Sequence, residues 1–182
     1  MTIARRRRLN DGACMTAVLL QGRHISVANV GDCRAVYRER DGTCTVLTVD
    51  HRCSDPKERA RIRSAGGFIR ENRALGVLEP TRTIGDLEEK TIPGVVVATP
   101  DVRELWLPEE KPGLVTADCK LRALVVASDG VWDVVGNEAA MSIVCGSLQA
   151  TSDPHVAAMS LSRAAASAGS QDDISVVVVW YA

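Results

Sequence analysis

The stretch Leu121-Arg-Ala-Leu-Val-Val-Ala-Ser-Asp129-Gly130-Val-Trp-Asp133 constrains the fold more than any other part of the chain. A short, mostly aliphatic run bounded by a turn signal reads as a buried strand. It stops abruptly at an aspartate and a glycine, and a second aspartate follows four positions later. Near the C-terminus, Gly169-Ser-Gln-Asp172-Asp173-Ile174-Ser-Val-Val-Val-Val179 has the opposite polarity, with carboxylates opening a strand instead of closing one. Residues 174–181 are apolar enough to be buried on both faces. Two such strands with acidic ends predict a sheet with carboxylates gathered at one edge.

The remaining elements predict an α+β chain. Residues 14–20, 24–30, 33–38 and 43–49 read as an antiparallel meander, punctuated by Gln21-Gly22, Gly31-Asp32 and Asp41-Gly42. Residues 55–65 read as a helix with Asp55 as N-cap, Pro56 at the first helical position and Glu58 closing a capping box. Ile62 and Ala65 face inward, and Lys57, Arg59, Arg61 and Arg63 face solvent. Residues 68–70 form a short strand, 71–93 a long loop, 94–102 and 103–107 strands, and 108–120 a surface excursion. Two amphipathic helices follow. One is capped by Asn137 and turns Ala140, Met141, Ile143, Val144 and Leu148 inward. The other starts at Asp153-Pro154 and ends at Gly169. Strands come in a run and helices do not alternate with them, which favours α+β layers over a doubly wound parallel sheet.

Composition narrows the class. With 182 residues the default is a single domain with a sizeable core, and 3% aromatics require that core to be aliphatic. A net charge of −1 implies neither a nucleic-acid nor a membrane partner. Cys14, Cys33, Cys44, Cys53, Cys119 and Cys145 are scattered without metal-ligand spacing and are expected as free thiols, in the cytoplasm or nucleus. Arg5–Arg8 admit a localisation or phosphate-binding role, but the expectation for residues 1–11 is a frayed basic terminus. His24 and His51 are expected to be structural or surface residues.

Three acidic clusters carry the chemistry: Gly31-Asp32, Asp129 with Asp133, and Asp172-Asp173. Hard divalent cations take carboxylate and water oxygens, and a pair of them can activate a water and clamp a phosphoryl group. Each cluster also has a plain structural reading. Gly-Asp is a common turn, Asp133 can cap a turn, and Asp-Asp before a strand is often a loop.

Taken in order, these segments resemble the metal-dependent protein phosphatases of type 2C. Val27-Ala-Asn-Val-Gly-Asp-Cys-Arg-Ala-Val36 is similar to the family's strand-turn-strand. Leu47-Thr-Val-Asp-His51 with Glu58, Arg61-Ile62 and Ala65-Gly-Gly67 is similar to a second block. Glu79-Pro-Thr-Arg82-Thr-Ile-Gly85-Asp86, Ala127-Ser-Asp-Gly-Val-Trp-Asp133 with Asn137-Glu138, and Gly169–Val179 match three more. The resemblance implies a central antiparallel β-sandwich flanked by helices, in four α/β/β/α layers. It implies removal of phosphate from phosphoserine and phosphothreonine in proteins, with two Mg2+ or Mn2+ ions and a weaker third. Asp129 and Asp172 match ligands of the paired ions, Asp32 and Asp133 match positions that hold the third with Asp129, and Arg82 and Asp86 match a supporting loop.

The sequence also departs from that family. The N-terminal segment with its bridging aspartate and phosphate-gripping arginine has no counterpart, so the expectation is a partial domain over 12–182 that lacks roughly the first third. Asp173 stands where the family has Asn. Two readings follow: part of a metal-dependent phosphatase, or a non-catalytic phosphatase-like module that binds proteins.

Overall fold

The computed structural model describes residues 11–107 and 122–181. The expectations for residues 1–10 and for the 108–120 excursion therefore lie outside the described residues. In chain order the strands are β1 (Gly12–Ala13), β2 (Met15–Gln21), β3 (His24–Val30), β4 (Arg34–Arg38), β5 (Cys44–Val46), β6 (Ile69–Arg70), β7 (Arg73–Ala74), β8 (Ile84–Gly85), β9 (Asp101–Trp106), β10 (Arg122–Ala127) and β11 (Val176–Tyr181). The helices are α1 (Pro56–Ser64), α2 (Asp129–Trp132), α3 (Asn137–Thr151) and α4 (Pro154–Ser167). Strand β1 pairs with β8, β6 with β7, the order β2-β3-β9 makes a three-stranded sheet, and β11-β10-β4-β5 makes a four-stranded one.

The chain divides into two compact units. Among the described residues the first comprises 11–17, 28–32 and 49–102, and the second 18–27, 33–48, 103–107 and 122–181. In the second unit the period-2 alternation of β-strands sorts side chains onto two faces. Ala123, Val125 and Ala127 of β10 and Val36 of β4 pack against Met141, Val144, Leu148, Leu161 and Ala165 of α3 and α4. Their neighbours Leu124, Ala35 and Tyr37 point the other way, onto Ile25 and Val27 of β3. Strand β10 runs antiparallel to both neighbours, with Val125 opposite Val36 and Val178. It is central and buried, as its sequence predicts. Strand β11 pairs with β10 alone among the described residues, and Val177 is 58% exposed. The expectation of burial on both faces fails at Val177, near the start of this edge strand, although Val179 on the same face packs against the core of Ile25 and Val27.

The first unit has a smaller apolar core: Cys53, Ile62, Ala74, Val95 and Val96. Helix α1 begins as its sequence predicts, with the Asp55 carboxylate accepting from the Lys57 amide and Pro56 opening the helix. Several local expectations are corrected. Glu58 is not a capping-box partner; it is buried, and its contacts are given below. The short strand expected at 68–70 is β6, but the loop expected from 71 opens with its hairpin partner β7, and the turn residues Glu71 and Asn72 between them both have positive φ (51° and 59°). That is the type I′ geometry that matches the twist of a hairpin. Residues 94–100 are not a strand, and β9 starts at Asp101. Gly136 rather than Asn137 is the N-cap of α3.

Candidate functional site

In the first unit, Asp32 follows Gly31 at the end of β3. Gly31 has φ +105°, and a side chain there would run into Cys14. The turn is locked from both sides. The Gly31 amide donates to Nδ1 of His51 (3.1 Å), and the His51 amide donates back to the Gly31 carbonyl (3.0 Å). Asn29 Nδ2 bridges the carbonyls of Gly31 (3.0 Å) and Val49 (2.9 Å). His51 is therefore structural and completely buried, and accepting at Nδ1 leaves its proton on Nε2, 3.2 Å from Oδ2 of Asp101. Asp32 itself is buried. Its Oδ1 accepts from the Cys14 thiol (3.3 Å) and its Oδ2 from Nε of Arg52 (2.8 Å).

Arg82 lies in the same unit and reaches into a buried charge network. Its Nη2 and Nε donate to Oε1 of Glu58 (2.7 and 3.2 Å), and its Nη1 donates to Asp101 Oδ1 (2.7 Å) and the Thr99 carbonyl (3.0 Å). Arg61 takes the other oxygen of Glu58 (2.5 Å) and the carbonyls of Gly94, Val95 and Thr81, and the Thr81 hydroxyl also donates to Glu58. Burial alone would raise the Glu58 pKa, but the hydrogen bonds from Arg82, Arg61 and Thr81 outweigh it and hold the carboxyl at about 2. Asp101 is likewise lowered: Arg82 and His51 outweigh its burial. These contacts anchor the strand of chain that leads to Asp86.

Gly85 and Asp86 have φ +89° and +45°, so the turn occupies left-handed space that disfavours side chains. The Asp86 amide donates to the Asp11 carbonyl (3.2 Å), and its carboxylate fills the space that a side chain at Gly12 would need. Nζ of Lys90 donates to the carbonyls of Thr83 (2.5 Å) and Gly85 (2.6 Å), closing the turn from below. Burial lowers the pKa of Lys90, opposed by the charges of Asp86 and Glu89.

In the second unit, β10 delivers Ser128, and Asp129 opens the short helix α2. Two side-chain bonds and one backbone bond lock this turn onto the loop before β11. Ser128 Oγ donates to the Asp173 carbonyl (3.0 Å), the Ser175 amide donates to Ser128 Oγ (3.0 Å), and the Ser128 amide donates to the Ser175 carbonyl (3.0 Å). Gly130 is required at the contact, since a Cβ there would sit 2.7 Å from the Asp173 carbonyl oxygen. The two acidic segments expected to converge, 129–133 and 172–173, are thus side by side. Asp133 closes α2 as its C-cap and is exposed, and its amide donates to the Asp129 carbonyl (2.9 Å). Trp132 is pinned by its indole N–H to the Ala127 carbonyl (2.9 Å). Arg34 lies over the Trp132 ring at 5.3 Å and donates to Asn137 (2.6 Å). Asp172 is exposed and accepts from the Asp173 amide (2.7 Å).

Ser128, Ser175, Arg52 and Lys90 hold these turns without a signal in the sequence. A serine beside an acid-glycine turn and a lone lysine carry no local signal of what they will bind. Among the described residues, no group of three His, Cys, Asp or Glu side chains is placed to hold a metal ion. The described donors thus do not by themselves fit the paired ions implied by the resemblance, and Asp32, at the position of the third, already takes an arginine and a thiol. No helix among the described residues is long and apolar enough to cross a membrane.

Comparison with known proteins gives the lineage. The profile of the family described as Protein phosphatase 2C matches residues 1–174. "Probable protein phosphatase 2C 13" of Arabidopsis thaliana is 37% identical over 178 residues, covering 94% of this chain and 44% of the relative. "Protein phosphatase 1L" of Bos taurus is 36% identical over 169 residues, covering 91% and 43%. Among solved structures, a phosphatase from a pathogenic strain of Toxoplasma gondii superposes with a TM-score of 0.72 at 30% identity, covering 85% of this chain and 47% of that one. The chain thus spans less than half the length of these relatives. It nevertheless carries the family's ordered segments on the family's antiparallel sheets and helices, and it belongs to the protein phosphatase 2C family.

Proposed function

We propose that this chain, acting by itself, is a phosphatase-like protein-binding module that does not turn over phosphate esters. The observation that supports the reading is the donor set. Among the described residues the acidic side chains do not assemble a group of three that could hold a metal ion. Asp32 is held in an ion pair with Arg52.

A second reading is favoured by the lock between Ser128 and Ser175, which sets the Asp129 turn against the loop of Asp172 and Asp173. Within a longer polypeptide, Asp129 and Asp172 would contribute to a centre for Mg2+ or Mn2+, and Asp32, Asp133, Arg82 and Asp86 would keep the roles that the resemblance gives each of them. Such a protein would remove phosphate from phosphoserine and phosphothreonine in protein substrates, in the cytoplasm or nucleus.

Hydrolysis of a phosphothreonine peptide by the purified 182-residue chain in Mn2+, compared with its Asp129→Asn variant, separates the two. The first reading expects the same background rate from both. Turnover that depends on Mn2+ and on Asp129 would overturn it and support the second.

A further inference from the structure

From Arg59 to Arg70 the sequence carries four arginines and no aspartate or glutamate. Arg61 is committed to Glu58 and to three backbone carbonyls. Arg52, Arg73 and Arg82 are likewise paired, with Asp32, Glu79 and the Glu58–Asp101 pair respectively. Lys57, Arg59, Arg63 and Arg70 are exposed and make no ion pair among the described residues.

These cations lie on α1 and on the hairpin that follows it, two consecutive elements of the first unit that share one core. Arg59 and Arg63 are four apart on α1, so they are neighbours on a face turned away from the buried Glu58 and Ile62. Gly66 (φ +82°) ends the helix, and the Gly67 amide donates back to the Ile62 carbonyl (2.9 Å), which places Phe68 directly beyond the helix end. The hairpin β6–β7 rests on the same core as the helix, through Ile69, Ala74 and Ile62. Leu75 donates to the Phe68 carbonyl (3.0 Å), and the Arg70 guanidinium lies against Gly76. Phe68, and Val77 next to Gly76, are 55% and 57% exposed. The one phenylalanine of the chain is therefore left in solvent beside uncompensated arginines.

We propose that this face, built from Arg59, Arg63, Phe68, Arg70 and Val77, docks an acidic polypeptide segment that carries an apolar side chain between its carboxylates. Charge complementarity selects the sign of the partner, and the planar guanidinium fork matches carboxylates two oxygens at a time. The exposed phenyl and isopropyl groups select an apolar anchor within it. A nucleic acid or a membrane surface is the poorer match, because the chain as a whole has a net charge of −1 and the cationic area is confined to one helix and one hairpin. The docking face stands whether or not the chain turns over phosphate esters.

The test is fluorescence anisotropy of a short fluorescein-labelled peptide of alternating Glu and Leu, titrated with the full chain. The expected result is saturable binding that weakens with added salt. Arg59→Glu with Arg63→Glu should weaken it about tenfold or more, and Phe68→Ser about fivefold. Arg163→Glu, which reverses an exposed charge on α4, should leave it unchanged. Thermal unfolding checks that each variant is folded, and Arg59→Gln with Arg63→Gln replaces the charge-reversed pair if that pair is not. Three outcomes overturn the proposal: no saturable binding, equal loss in the Arg163→Glu control, or tighter binding to oligo-dT or phosphatidylserine vesicles than to the peptide.

Discussion

The two units of this chain are stabilised by different physics. In the second, a central strand buries aliphatic side chains on both faces, and the core is built from residues such as Val125, Met141, Leu148 and Leu161. In the first, the apolar core is small, and beside it lie a buried glutamate, two arginines, a buried histidine and an aspartate joined in one network. Dispersion and burial of apolar area are indifferent to pH and to the exact donor present. A buried ionic network depends on every member, because removing one leaves a charge without its partner. The units should therefore fail under different insults.

The largest expected effect is at Glu58. Glu58→Ala leaves Arg61 and Arg82 facing each other without their shared carboxylate, and should destabilise the first unit by about 3–5 kcal/mol. Hydrogen exchange of the α1 amides reads this directly, and protection equal to the wild type would show that the network is dispensable. The same group sets an acid limit. Its folded pKa of about 2 lies below the ordinary 4.5, so its stabilisation is complete above about pH 4.5 and is lost as pH falls toward 2. The loss is on the order of 3 kcal/mol. Protection in α1 should fall across that window and protection in α3 and α4 should not; parallel loss in both units would break the comparison.

Leu161→Ala attacks the second unit in its own terms. Leu161 is fully buried between α4 and the four-stranded sheet, and truncation should cost about 2–5 kcal/mol. The cost should be the same at neutral and acid pH, measured by denaturant unfolding. A pH-dependent cost would mean that ionic contacts also support this core. A smaller effect is expected at Asp153, whose carboxylate caps α4 by accepting from the His155 amide (2.8 Å). Asp153→Ala should cost about 1 kcal/mol and lower the thermal midpoint of the second unit alone. No change would show that α4 is held by packing without its cap.

Local patterns that depend on nearest neighbours were legible. Asp55-Pro56 and Asp153-Pro154 start helices where their sequences say so, and Asp41-Gly42 turns the chain between β4 and β5. The strand at 69–70 was legible, but its return strand at 73–74 was not, because the turn between them is Glu71-Asn72 rather than a glycine pair and the return strand is only two residues long. Glu58 sits at the capping-box position of α1, but Arg82, twenty-four residues on, claims its carboxylate instead. For the candidate site, the acidic segments were visible, but their partners were not. Nothing in the spacing announces that Asp32 will be bound by Arg52 and Cys14.

The sequence by itself determined the class of this chain. The apolar runs, the turn residues between them and the ordered acidic motifs specify antiparallel sheets, capped helices and membership of the protein phosphatase 2C family. Only the tertiary structure decided how each carboxylate is used. Asp129 is set beside the Asp172 loop by two serines, while Asp32 is neutralised by an arginine and Glu58 by two. Backbone periodicity is a property of neighbouring residues and can be read along the chain. The electrostatic state of a buried acid is a property of whatever charge the fold brings within a few ångströms of it, from any distance in sequence.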